Sequence, residues 1–245
     1  MTPTWTDYCS NEGFAGPFEN QILYAMCRDH PGHDSSYVAA GKVTAIGRIY
    51  AASPARGAGK PMTDTPLVRT IGEYLANSKL DEMLASIDFG SRFSPEILES
   101  VVSAHGYLVS EIVAATRSWS REAQDGNWRP RNHDSFASKY LHFHRPNAFP
   151  IMDKFARAGL KCVGQTGNVS TYAGFCDAFA QYAQTQGDDW TPRSLDTVLV
   201  ARGRKHEARG EKNCEECKKP KGHRTRAGLA EIYAPAATTT GSDPV

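Results

Sequence analysis

The chain has 245 residues, a formal net charge of +1, and 40% hydrophobic against 22% charged residues. That length suits one large domain or two small interleaved ones, and it can bury a core without disulfide staples. No apolar run approaches the roughly 20 residues of a membrane span. The N-terminal MTPTWTDYCSNEG lacks the basic-then-apolar order of a secretory signal, so a cytoplasmic address with no membrane partner is expected.

Helical periodicity dominates the chain. Phe18, Ile22, Leu23 and Met26 form a first short stripe. Residues 42–52 (KVTAIGRIYAA) fit a strand or a helix. Residues 57–65 (GAGKPMTDT) read as a loop; the GAGK there lacks the glycine spacing and the following Ser or Thr of a phosphate-binding loop. Leu67, Ile71 and Leu75 begin another helix, whose register continues to Leu84. Ser94-Pro95 offers a cap followed by proline at the first helical position. The stripe after it is the broadest in the chain: Ile97, Leu98, Val101, Val102, His105, Leu108, Val109, Ile112 and Val113. A face that wide predicts a helix central to the core. Further on, Ser170 is expected to cap a helix carrying Tyr172, Phe175, Cys176, Phe179 and Tyr182 and ending at Gly187. Thr191-Pro192 starts another with Leu195, Val198 and Leu199. Cys27 and Cys176 fall in apolar-periodic segments, where reduced, buried thiols are the plain reading. There is no internal repeat. The fold class is therefore mainly α, as one helical domain over residues 1–233. Residues 234–245 are small, polar and proline-bearing, and read as a disordered tail.

Residues 136–160 (FASKYLHFHRPNAFPIMDKFARAGL) carry the chemistry. His133, Asp134 and Ser135 offer cap chemistry for a helix. Phe136, Tyr140 and Phe143 share its face, and Pro146 disfavours helix at Arg145. Phe149-Pro150-Ile151 is apolar and extended. Asp153 then opens a helix with Phe155 and Leu160 facing inward, where the helix dipole favours an ionised carboxylate. By itself that pattern favours an ordinary aspartate cap.

The stretch resembles the core of the helix-hairpin-helix DNA glycosylase superfamily. Ser135-Phe136-Ala137-Ser138-Lys139 stands where those enzymes carry a Gly-hydrophobic-Gly hairpin turn and a lysine. Pro150-Ile151-Met152-Asp153 stands for their aspartate turn. The likeness covers about 25 residues; the hairpin glycines are absent, and the intervening helix is roughly one turn short. Together with IGRIYAA near the N-terminus, it is similar to a divergent bacterial branch associated with defence against phages carrying modified cytosines, glucosylated hydroxymethylcytosine among them. The resemblance implies a two-lobed helical fold with a cleft between interleaved lobes, a monomer, and double-stranded DNA as partner. It implies Asp153 as the catalytic carboxylate. Lys139 would be the strand-cleaving nucleophile of bifunctional members, or a phosphate contact. The shortened helix favours a monofunctional enzyme that leaves an abasic site. Ser135, Ser138 and Tyr140 would lie along the DNA-binding turn. One of His142 and His144, which cannot share a helix face, would line the pocket, with the other on the surface. Arg48 and Tyr50 are further pocket candidates, with a structural role as the alternative.

Residues 202–226 (RGRKHEARGEKNCEECKKPKGHRTR) form a basic segment on an otherwise neutral chain, suited to phosphate contacts. Cys214 and Cys217, flanked by His206 and His223, give His-x7-Cys-x2-Cys-x5-His, a donor set that fits one structural zinc; a basic loop with two reduced thiols is the alternative. Some glycosylases of the superfamily hold an iron-sulfur cluster on four cysteines here. With Glu207 at the first position and His223 at the last, that cluster cannot form locally. No cofactor is expected in catalysis. Two competing readings stay open: a non-catalytic DNA-binding module on the same scaffold, and a repair glycosylase for damaged bases. A third is an unrelated helical enzyme in which Asp153 is only a cap.

Overall fold

The computed structural model describes residues 18–54, 65–87, 92–122, 132–165, 167–186 and 190–209. These residues are mainly helical and contain no strand. Helix α1 runs Phe18–Asp29, α2 Ser36–Ile49, α3 Thr65–Ala76 and α4 Leu80–Ala85. A 3-10 turn at Pro95–Ile97 leads into α5, Leu98–Glu122. Then come α6 Asp134–His144, α7 Lys154–Cys162, α8 Tyr172–Ala183 and α9 Pro192–Arg209. Residues 57–64 and the 234–245 tail lie outside the described residues.

Several local expectations are corrected. The stretch 42–52 is helical up to Ile49, because Ser35 caps α2 by accepting from the Val38 amide at 3.4 Å and Ala39, Val43 and Ile46 share a buried face. Helix α1 is rotated from its expected stripe. Phe18 and Ile22 are 72% and 45% exposed, while Asn20, Leu23, Tyr24 and Cys27 are buried. Burying Tyr24 and Asn20 is tolerable because both polar ends find hydrogen-bond partners, the buried His142 and the half-buried Tyr50. The stripe from Leu67 does not run to Leu84 as one helix. Asn77 and Ser78 turn back onto the carbonyls of Glu73 (2.8 Å) and Leu75 (2.7 Å), competing with the helical ladder, and α4 restarts at Leu80. Thr171, not Ser170, caps α8, accepting from the Gly174 amide at 3.2 Å.

Helix α5 is the spine. It packs against α3, α4, α6 and α8 and buries Val101, Ala104, Leu108, Ile112 and Ala115 completely. Pro95–Ser120 is long and apolar enough to cross a membrane by length and composition, a test that a buried core helix also passes. Across α5 lies α6, buried from Phe136 to His144. A helix buried all round must satisfy its polar side chains internally. His142 Nδ1 donates to the Phe149 carbonyl at 2.8 Å, which leaves Nε2 to accept from the Tyr24 hydroxyl at 2.7 Å. His144 donates to the Tyr140 carbonyl at 2.8 Å and accepts from Lys42 Nζ at 3.1 Å. His33 bridges Asp81 (2.5 Å) and the Tyr140 hydroxyl (2.8 Å).

These imidazoles make stability depend on pH. Burial lowers His142 to about 3 and pushes His33 and His144 down as well. In the unfolded chain they protonate near pH 6.5. Below that value the unfolded state takes up protons that the folded state refuses, so stability falls as pH drops through about 6.5 and keeps falling toward the folded values. Asp196 acts in the opposite sense, since burial raises its carboxyl to about 7; one carboxyl against three imidazoles does not reverse the sign. Thermal melts between about pH 7.5 and about pH 5 should show a falling Tm. A flat or rising Tm would mean that the imidazoles charge inside the fold.

Candidate active site

Asp153 is mounted on an extended segment that has no sheet to pair with. Its backbone groups must therefore find side-chain partners. The Phe149 carbonyl accepts from His142 at 2.8 Å, the Pro150 carbonyl from the Tyr172 hydroxyl at 3.0 Å, and the Met152 amide donates to Ser138 Oγ at 3.0 Å. Phe149, Ile151 and Met152 are buried, as the apolar pattern predicts. Asp153 itself is extended (φ −131°, ψ −179°) and caps α7, accepting from the Ala156 amide at 2.8 Å.

The aspartate opens onto a cleft of about 1320 Å³. Its walls come from the start of α1, the turn after α2, the start of α6, the start of α7 and one side of α9. Lys139 reaches it from α6. Although only 3% exposed, its amine donates to Ser135 Oγ at 2.8 Å and to the Ser135 carbonyl at 3.3 Å, and it lies 5.6 Å from the Tyr50 ring centre. Burial lowers the Lys139 pKa, and the negative charges of Asp153 and Asp196 work against that shift. Lys154, Arg157 and Arg204 add positive charge to the lining, Arg204 coming from the start of the basic 202–226 segment.

The sequence reading missed Arg193 and Asp196. Both line the cleft from α9, with Arg193 Nη1 3.4 Å from Asp196 Oδ2. Arg193 also bonds the Tyr50 hydroxyl, which donates to Asn20 Oδ1 at 2.7 Å. Burial raises Tyr50 to about 12. Asp196 is 6% exposed, and its Oδ1 is buried with no hydrogen-bond partner. Burial is the main cause of its raised pKa; Asp153 adds to the shift, while Arg193 and Lys139 oppose it. A signal was present: Asp196 sits beside Leu195 and three residues before Leu199, inside the buried face of α9.

The predicted site residues thus divide. Asp153, Lys139, Ser135 and Tyr50 meet in the cleft. Ser138, Tyr140 and His142 do not line it. All three are fully buried, with hydrogen bonds to Met152, His33, Phe149 and Tyr24 that a DNA contact would have to break. Neither His142 nor His144 is a surface residue. Arg48 is exposed on α2 and is not part of the lining. His206 is half-buried on α9, while Cys214, Cys217 and His223 lie outside the described residues. Among the described residues no three His, Cys, Asp or Glu side chains gather as a metal site. No family model, curated protein or solved structure matches the chain.

Proposed function

We propose that the protein is a DNA glycosylase that extrudes a modified base, a modified cytosine of phage DNA, and hydrolyses its N-glycosidic bond to leave an abasic site. The observation that carries this reading is the meeting of Asp153 and Lys139, the two residues of the glycosylase resemblance, in one cation-lined cleft. The cleft exceeds the roughly 300–1,000 Å³ of ordinary ligand pockets, leaving room for an extruded nucleotide with a bulky substituent. On this reading the helices form the two-lobed arrangement of the superfamily, and the protein acts as a cytoplasmic monomer on duplex DNA.

The chemistry follows from charge. An enzyme acting on a base swings the nucleotide out of the stack. As the C1′–N bond breaks, positive charge grows on the sugar. A fixed carboxylate stabilises it and orients water, as in glycoside hydrolysis. Asp153 supplies that carboxylate. Lys154, Arg157 and Arg204 offer cations to the phosphates flanking the extruded nucleotide, giving affinity without sequence choice.

The purified protein, incubated with duplex DNA carrying plain or modified cytosines and then with alkali, should cut only at modified positions. Binding without alkali-labile sites would favour the non-catalytic module, and release of damaged bases instead would favour repair. Lys139 is tied back onto Ser135, which suits an electrostatic role rather than attack on the sugar. Borohydride added during turnover should therefore trap no protein–DNA adduct. An adduct lost in Lys139→Ala would assign it a Schiff base and a lyase step.

A further inference from the structure

Asp196 is a buried acidic side chain of the cleft that the mechanism above leaves without a task. It is buried on a helix, only one oxygen is tied, and that through a long 3.4 Å contact with Arg193. The other oxygen has no hydrogen-bond partner. Leaving a buried acceptor unpaired is unfavourable, and a bound group or a proton can relieve it. The carboxyl torsion is soft, so the untied oxygen can turn toward a group entering the cleft.

Resting on the glycosylase reading, we infer that Asp196 is the acid that protonates the leaving base, and that the group it serves is the ring N3 of a cytosine. The C1′–N1 bond breaks with its electron pair going to the base, and N3 takes the Asp196 proton, so the base departs neutral. Water adds to C1′ and gives a proton to Asp153, and solvent returns one to Asp196. The other oxygen of the Asp196 carboxyl accepts from the exocyclic amine, a pairing that carboxylates make with cytosine N4. Thymine offers no lone pair at N3, because that nitrogen already carries a proton. The acid therefore helps expel cytosines and not thymines from one pocket.

The surroundings fit an acid that holds its proton near neutrality. The charged and titratable groups facing Asp196 are Arg193 on its own helix, Lys139 from α6, Asp153 before α7 and Tyr50 after α2. The two cations favour the ionised form, Asp153 disfavours it, and burial outweighs them, keeping the proton on until about pH 7.

The test is single-turnover base release from a duplex with one 5-hydroxymethylcytosine, bare or glucosylated, across about pH 5.5 to about pH 9. Wild-type release should fall as Asp196 ionises. Asp196→Asn keeps the shape and the acceptor but has no proton to give. It should bind the duplex like the wild type, release base about 100- to 1,000-fold more slowly, and lose the alkaline fall. The same duplex with the 3-deaza analogue, which has no N3, makes the test independent of the variant's folding. Wild-type release should drop to the Asp196→Asn rate, and Asp196→Asn should lose nothing further. An Asp196→Asn rate near wild type, an unchanged alkaline fall, or normal release of the 3-deaza base would each overturn the inference while leaving the glycosylase reading intact. A wild type that releases neither modified base overturns both.

Discussion

Asp153→Asn should lower base release by at least about 100-fold, the scale on which single electrostatic groups act in transition states, and leave the melting temperature unchanged. The second half of that expectation makes the first decisive. Asparagine caps helices about as well as aspartate, and its side-chain oxygen can still accept from the Ala156 amide that Asp153 holds at 2.8 Å. The substitution removes charge and keeps the cap. Alanine would remove both, costing about 1 kcal/mol of stability and blurring the result. Alkali-labile sites scored beside a thermal melt separate the roles. An asparagine variant with full activity would make Asp153 a cap and nothing more.

The second large effect is expected from two glycines at the contact of α7 with α9. Helices α7 and α9 pack closely, and a Cβ at Gly203 would stand 1.9 Å from the Phe155 carbonyl oxygen, while one at Gly159 would stand 2.1 Å from that of Leu199. Both obstacles are backbone, so no rotamer change relieves them and the helices must move apart. Glycine to alanine inside a helix ordinarily stabilises by about 1 kcal/mol. Here overpacking, typically about 1–3 kcal/mol or more, should reverse the sign, and Gly203→Ala or Gly159→Ala should destabilise in urea melts. Activity should fall as well, because spreading α7 from α9 separates Asp153 from Arg193 and Asp196. A Gly203→Ala variant as stable as the wild type would mean that the close approach is not maintained in solution.

Much of this was legible from punctuation and periodicity. Pro95 and Pro192 mark helix starts, the stripe from Val101 to Ile112 is the spine, and residues 134–153 form the helix, turn and carboxylate that their pattern predicts. What periodicity could not give is which polar residues on an apolar face are held inside. His142 and His144 look like solvent or pocket residues until Tyr24 and Lys42, more than a hundred positions upstream, arrive as partners. Ser138 sits at a position suggesting a DNA-binding turn, yet its hydroxyl holds the Met152 backbone. Arg193 and Asp196 were hidden for the same reason: as an i,i+3 pair they pass for a surface ion pair, and only the packing of α9 on α7 turns them into the cleft.

The side-chain anchoring of residues 149–152 has a mechanical consequence. The aspartate is not carried on a loop that can drift relative to the body of the protein; it is bolted to the hydrophobic interior at His142, Tyr172 and Ser138. Its position is as stiff as the core, while Lys154, Arg157 and Arg204 sit on the cleft wall, where Lys154 and Arg204 lie over the Phe155 ring. On the proposed reading, the chain would separate a reactive point with almost no play from an entrance that can be reshaped, and the entrance could be refitted to a different base or flanking sequence without retuning Asp153.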